Sequence, residues 1–367
     1  MNVLSLFDGI SCGRVALERA GIKVDKYYAS EIDKYAIQIA QKNYPDTIQV
    51  GDITKLRGED FKDIDMIIGG SPCQGFSFAG KQLNFEDPRS KLFFEFVRLV
   101  KEIQPKYFLL ENVKMKKEYQ DIISEQLGVK PILINSALVS AQNRKRLYWT
   151  NIGEIKPPED RGILLRDILE KEVDEKYYLK QEQIDKYIIN KNTTKKEFIQ
   201  CRMIDNGNRF TFNNTNKSFT ITAGGRNNGN NLCIKVGYIG KGGQGQRIYS
   251  PDAKSVALSA LGGGQGAKTG LYLVNNNGKT HQQELLQGID GKCRTIPAGT
   301  HGSTPHLLKT IMQDNTIRKL TPIECERLQT LPDNYTQGVS NTQRYKAIGN
   351  GWTVDVIAHI FKNLINL

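Results

Sequence analysis

The strongest constraint on the fold lies in the first 155 residues, where short apolar runs alternate with stretches of helical period. Val3 to Phe7, Tyr27 to Ser30, Met66 to Gly70, Tyr107 to Glu111 and Ile132 to Asn135 read as buried strands. Between them, Gly13 to Ala20, Lys34 to Asn43 and Leu92 to Ile103 repeat their apolar residues at helical spacing. Near-continuous apolar strands separated by amphipathic helices predict an α/β fold with a parallel, doubly wound sheet. Such a sheet collects ligand-binding residues in the crevice outside the carboxyl ends of its strands. Chemistry is therefore to be sought just after each strand.

The remainder reads differently. Pro157 and Pro158 break the alternation, and short helices are expected at Leu164 to Glu170 and Gln181 to Ile189. From 190 to 310 the chain is rich in Asn, Gly and Thr with short β-like runs, which predicts a β-meander. Three segments, KSFTITAGG from Lys217, KSVALSALGGG from Lys254 and KCRTIPAGTHG from Lys292, form a weak internal repeat of lysine, short strand and glycine turn. Helical pattern resumes after Ile317, with Thr321 as N-cap, Pro322 at the first helical position and Glu324 at capping-box spacing. A last helix is expected from Thr353 to Asn363. This pattern divides the chain into a first domain over 1–175 plus 340–367 and a second, mainly β domain over 176–339.

Composition excludes several classes. Lysine and arginine number 51 against 39 acids, a net charge of +12, which suits an anionic partner such as nucleic acid, or simply a soluble basic protein. No run of eighteen apolar residues and no basic n-region before an apolar stretch occur, so neither membrane span nor signal peptide is expected, and a cytoplasmic location follows. The six cysteines lack CxxC or CxxH spacing, so neither zinc nor a disulfide framework is expected.

The strand ends carry the candidate site. The first turn, Phe7-Asp8-Gly9-Ile10-Ser11-Cys12-Gly13, permits close ligand approach but lacks the full G-x-G-x-x-G of dinucleotide sites. Glu31 after the second strand suits ribose hydroxyls, and Asp52, farther along, suits an adenine amino group; taken singly, each fits equally a helix N-cap or a solvated charge. Together they point to an adenosine cofactor. Farther on, Gly69-Gly70-Ser71-Pro72-Cys73-Gln74-Gly75 places a cysteine after a buried strand, Glu111-Asn112-Val113 an acid, and Gln142-Asn143-Arg144-Lys145-Arg146 a pair of guanidinium groups.

These segments, in the order FDGISCG, SEID, GDI, GSPCQGFS, ENV, QNRKR, RKLTPIECERLQTLPDNY and YKAIGNGW, resemble the ordered motifs of the DNA (cytosine-5)-methyltransferases over almost the whole chain. The stretch from Gly240 to Asn275 resembles the recognition region of GCGC-methylating members. The resemblance implies a Rossmann-like S-adenosylmethionine-dependent methyltransferase sheet beside a smaller, mainly β target-recognition domain. It implies S-adenosylmethionine contacts at Phe7, Asp8, Gly9, Ile10, Glu31, Ile32, Asp52, Ile53, Pro72, Leu92, Asn350 and Trp352, and no metal. It also implies duplex DNA as partner, a monomer, and in restriction–modification systems a cognate restriction endonuclease.

Cytosine C5 is too weak a nucleophile to take a methyl group unaided, so a thiolate must first add at C6; the resemblance gives that task to Cys73. Arg144 and Arg146 are the accompanying cations, with Arg144 expected to lower the thiol pKa and to stabilise charge on O2, and Glu111 to donate to N3. The target base must leave the stack. Gln74, Ser77 and Ala79, in the loop after the nucleophile, and Gln244, from the recognition side, are expected at the vacated duplex, and Arg247 at a guanine or a phosphate. Ala257 and Leu261 replace the Thr and Tyr of GCGC-methylating members, and Gly351-Trp352 departs from the common GNS-V ending. RNA cytosine methylation is the rival of the same chemistry. An oxidoreductase is disfavoured by the incomplete glycine fingerprint, and a zinc deaminase by the absence of P-C-x-x-C.

Overall fold

The computed structural model describes residues 1–71, 88–179 and 315–365, together with 201–204, 209–212, 233, 235–238, 247–249, 251, 253–258 and 271–275. Its centre is a seven-stranded sheet of β1 (Asn2–Leu6), β2 (Lys26–Ser30), β3 (Ile48–Gln49), β4 (Met66–Gly70), β5 (Tyr107–Val113), β6 (Ile132–Asn135) and β8 (Lys145–Thr150), in the order β3-β2-β1-β4-β5-β8-β6. Pairing is parallel from β3 through β5. β8 runs antiparallel to both β5 and β6. The expected all-parallel sheet is thus corrected at one strand: after β6 the chain turns back directly through the two-residue β7 (Gln142–Asn143), with no crossover helix.

Helices cover both faces. On one, α1 (Cys12–Arg19), α2 (Lys34–Asn43) and the C-terminal α7 (Val354–Lys362) bury Leu17, Ile39, Ile357 and Phe361 against Val3, Ile68 and Leu109. On the other, α3 (Pro88–Ile103) and α4 (Lys117–Leu127) pack Phe93, Phe96 and Ile123 against Leu4, Ile67 and Leu110. Burial on both faces explains why these strands read as apolar runs rather than alternating ones. α2 starts where it does because the Asp33 carboxylate accepts from the N–H groups of Tyr35 and Ala36.

The segment after β15 (Asn315–Arg318) is built on the capping box read from the sequence. Thr321 Oγ1 accepts from Glu324 N, the Glu324 carboxylate accepts from Thr321 N, and Pro322 opens α5 (Pro322–Leu328). Glu324 also accepts from both terminal guanidinium nitrogens of buried Arg318, at 2.7 and 2.6 Å. Leu331 and Tyr335 fall within the 176–339 span drawn from the sequence, yet they pack in the same core as Val3 and Ile10. α6 (Asn341–Asn350) then leads to α7.

The second domain expected from the sequence contains the antiparallel pair β9 (Cys201–Ile204) and β10 (Arg209–Phe212). It also contains a four-stranded sheet ordered β11-β12-β14-β15, formed by β11 (Lys235–Tyr238), β12 (Arg247–Tyr249), β14 (Leu271–Asn275) and β15. β12 and β14 are parallel, which a simple meander does not allow. β13 (Ser255–Val256), in the second of the three sequence repeats, pairs instead with β7 of the first domain. Lys254 beside it is fully buried, its ammonium donating to the carbonyls of Ala137, Ser140 and Ile163. The other two repeats and the helix expected at Gln181 to Ile189 lie outside the described residues. The short helix expected at Leu164 to Glu170 is a single 3-10 turn, Leu165–Ile168.

Candidate active site at the carboxyl edge of the sheet

The β1–α1 turn has an unusual backbone: Phe7, Gly9 and Ser11 take φ of 57°, 60° and 58°. Glu31, leaving β2, grips this turn through Oε2, which accepts from Gly9 N at 2.8 Å. Its Oε1 accepts from the N–H groups of Ile32 and Asp33. Asp8 is likewise committed within the protein, accepting from Ser11 Oγ at 2.6 Å and Tyr27 Oη at 2.8 Å. Burial raises the Asp8 pKa, with those hydroxyls working against it. Asp52 caps the 3-10 turn Ile53–Lys55 and is held below the usual carboxylate range, first by Thr54 N and then by its hydroxyl.

The cofactor residues expected from the sequence therefore fall into distinct sorts. Glu31 and Asp52 stand as acids at successive strand ends, and Ile32 is 75% exposed beside them. Phe7 and Leu92 are half-buried, whereas the side chains of Ile10 and Ile53 are buried in the core. Beyond its two chain neighbours, nothing among the described residues lies within 4 Å of where a Cβ on Gly9 would sit. Two acids, an uncovered apolar side chain and an open glycine turn form a set of acceptors and apolar surface whose chemistry fits an adenosyl group.

The acid and guanidinium groups expected from the sequence lie two strands over. Gly70, ending β4, is in register with Glu111 on β5. The Glu111 carboxylate pairs with Arg146 Nε at 2.9 Å, because β8 runs antiparallel to β5 and sets Arg146 opposite Val113. Asn112 Nδ2 donates to Ser71 Oγ at 3.0 Å and so ties the end of β5 to the chain leaving β4. Cys73 follows two residues after Ser71; it lies outside the described residues, as do Pro72, Gln74, Ser77, Ala79 and Gln244. Arg247 is exposed on β12, opposite Tyr238.

Arg144, whose expected partner Cys73 lies outside the described residues, is buried, and its guanidinium donates to the carbonyls of Leu258, Gly349 and Gly351 at 3.2, 3.3 and 3.1 Å. It ties Leu258 to the α6–α7 turn, while Arg146 is the cation beside the acid. That turn presents half-buried Trp352 to the crevice, and Asn350 before it is exposed. A Cβ on Gly70 would lie 2.8 Å from Trp352 Nε1 and 3.0 Å from Glu111 Oε2, and one on Gly13 3.4 Å from Trp352 Cζ3. The indole thus runs from the β1–α1 turn to the acid. Sequence reasoning missed Ser71 as a partner of Asn112; a serine directly before Pro-Cys was the available signal.

The family model for C-5 cytosine-specific DNA methylase matches residues 1–366. The chain belongs to that family. An orphan methyltransferase, M.SPRI of Bacillus phage SPR, is 32% identical over 439 aligned residues, covering 100% of this chain and 98% of its own. The type II methyltransferase M.HhaI of Haemophilus parahaemolyticus is 28% identical, covering 99% and 94%. Among solved structures, the Entamoeba histolytica methyltransferase EhMeth shares the fold with a TM-score of 0.64 at 18% identity, covering 100% and 98%. This methylase is accordingly a mixed α/β enzyme of the cytosine-5 type. Among its described residues no helix is long and apolar enough to cross a membrane, and no group of His, Cys, Asp and Glu is arranged to hold a metal.

Proposed function

We infer that this methylase transfers a methyl group from S-adenosylmethionine to C5 of a flipped-out cytosine in a specific duplex DNA sequence, through a covalent Cys73 adduct. The observation that carries the reading is the Glu111–Arg146 pair at the end of β5, one strand from the chain that leads to Cys73 and beside the wall made by Trp352. The cofactor supplies the electrophilic methyl when bound. Glu31 and Asp52 hold its polar edges; Phe7, Ile32, Leu92 and Trp352 cover its apolar ones; Asp8 and Ile10 contribute through the shape of their turn.

The Cys73 thiolate forms a bond to C6, which moves an electron pair toward N3 and O2. Glu111, in its acid form, donates a proton to N3, and Arg146, standing against Glu111, stabilises O2. C5 then takes the methyl group as N3 returns its proton to Glu111; C5 next loses its own proton to a base, and the bond to Cys73 breaks as the C5–C6 double bond returns. Arg144 orders the turn before Trp352 instead of touching the base. Target recognition falls to the β-rich part from residue 176 through β15, with Gln244 and Arg247 as its DNA contacts, while the segment from Pro322 onward serves the catalytic body.

Duplex DNA carrying 5-fluorocytosine at the target tests this reading, because fluorine at C5 cannot leave as a proton does. A denaturation-resistant adduct is expected with the wild type and none with Cys73→Ala. No wild-type adduct, or an undiminished one with the variant, overturns the nucleophile assignment; methylation of tRNA with none of matched duplex DNA overturns the substrate.

A further inference from the structure

The Phe7–Ser11 turn is held in a backbone region that L side chains disfavour, so its shape depends on contacts around it. From nearby strands, Asp8 N donates to Ser30 O at 3.1 Å and Gly9 N to Glu31. The Asp8 carboxylate collects Ser11 and Tyr27. A further hold comes from the far end of the chain: Tyr335 Oη donates to Ile10 O at 2.7 Å.

Tyr335 is itself rigidly seated. It is buried, and its carbonyl accepts from Asn43 Nδ2 at 3.0 Å. The next residue, Thr336, donates through N and Oγ1 to buried Glu326, which Arg344 pairs at 2.9 Å. The hydroxyl is therefore delivered to Ile10 from a fixed frame that belongs to neither β1 nor α1.

We propose that Tyr335 is a positioning residue for the cofactor pocket: its hydroxyl holds the Ile10 carbonyl, and with it the left-handed turn, in the shape that receives S-adenosylmethionine. The proposal rests on the reading of that turn given under Proposed function. Ile10 contributes no side chain to the crevice, so the effect runs through the backbone. Loss of the hydroxyl lets the turn relax toward ordinary φ values and withdraws Gly9 and Glu31 from their places.

The test is Tyr335→Phe, which keeps the ring, beside Tyr345→Phe as a control. Tyr345 is also buried, and its hydroxyl donates to a carbonyl, Leu320 O, at 2.7 Å, but on the α6 side away from the turn. Affinity for S-adenosylhomocysteine is read by titration calorimetry on the full chain, with Tm, kcat and KM alongside. Tyr335→Phe is expected to weaken Kd and raise KM for the cofactor about five- to tenfold, the size of one lost hydrogen bond. Its kcat should stay within about twofold, and Tyr345→Phe should lower Tm while leaving Kd unchanged. Equal Kd in wild type and Tyr335→Phe, or equal weakening in both variants, overturns the proposal. No binding by the wild type sinks the cofactor reading itself and the proposal with it.

Discussion

Gly70→Ala probes whether Trp352, Glu111 and the end of β4 form one wall. The added methyl would stand 2.8 Å from Trp352 Nε1 and 3.0 Å from Glu111 Oε2, where ordinary contact begins near 3.4 Å. The indole must therefore retreat by about 0.6 Å and the carboxylate by about 0.4 Å. Overpacking of this kind costs about 1–3 kcal/mol. Trp352 is half-buried and gives way toward the crevice, so most of that cost should fall on cofactor affinity, a weakening of roughly 5- to 150-fold. Gly58→Ala provides the comparison: its Cβ would lie 2.4 Å from Glu102 Cβ, against α3 and away from the crevice. Calorimetry with S-adenosylhomocysteine should show the loss for Gly70→Ala, and for Gly58→Ala a lowered Tm with Kd within about twofold of wild type. A folded Gly70→Ala with wild-type Kd would refute the shared wall.

Four further outcomes are expected. Glu324→Gln leaves Arg318 buried without its counter-charge and should cost about 3–5 kcal/mol in urea unfolding; an unchanged midpoint would contradict the pairing. S-adenosylhomocysteine should alter the emission of half-buried Trp352 but not of fully buried Trp149, so Trp352→Phe should abolish the change, and a surviving response would misplace the indole. Burial pushes the Cys12 thiol up to about 12 and Cys325 well above its ordinary value, so both should resist iodoacetamide at pH 8 until denaturant is added, as read by mass spectrometry. Arg14 donates to Asp46 and lowers its pKa, so the stability this pair contributes is present above the ordinary carboxylate pKa and lost as pH falls through the lowered one. The gap in Tm between wild type and Asp46→Asn, worth less than about 1 kcal/mol for so exposed an acid, should be open at pH 6 and close in stronger acid.

What was legible in the sequence is what local chemistry determines. α2 could be bounded because Asp33 caps it, and α5 because Thr321, Pro322 and Glu324 state its start in four residues. The end of β4 was legible because a run of Met, Ile, Ile and two glycines allows little else. β8 was not, since LYWT is buried throughout and buried strands carry neither period nor direction. That strand decides the chemistry of QNRKR. As a string, Arg144 and Arg146 are equivalent cations; the antiparallel register of β8 on β5 turns Arg146 toward Glu111 and leaves Arg144 among the carbonyls of Leu258, Gly349 and Gly351. Lys254 shows the same dependence, since a lysine opening a polar repeat looks solvated until Ala137, Ser140 and Ile163 close over it. A motif can thus name the residue types at a site, but it cannot say which of two like charges pairs with the acid and which holds the walls in place. That choice is made by pairings between segments, and here the separation between Tyr335 and Ile10, 325 residues, is far beyond any window in which a local pattern carries information.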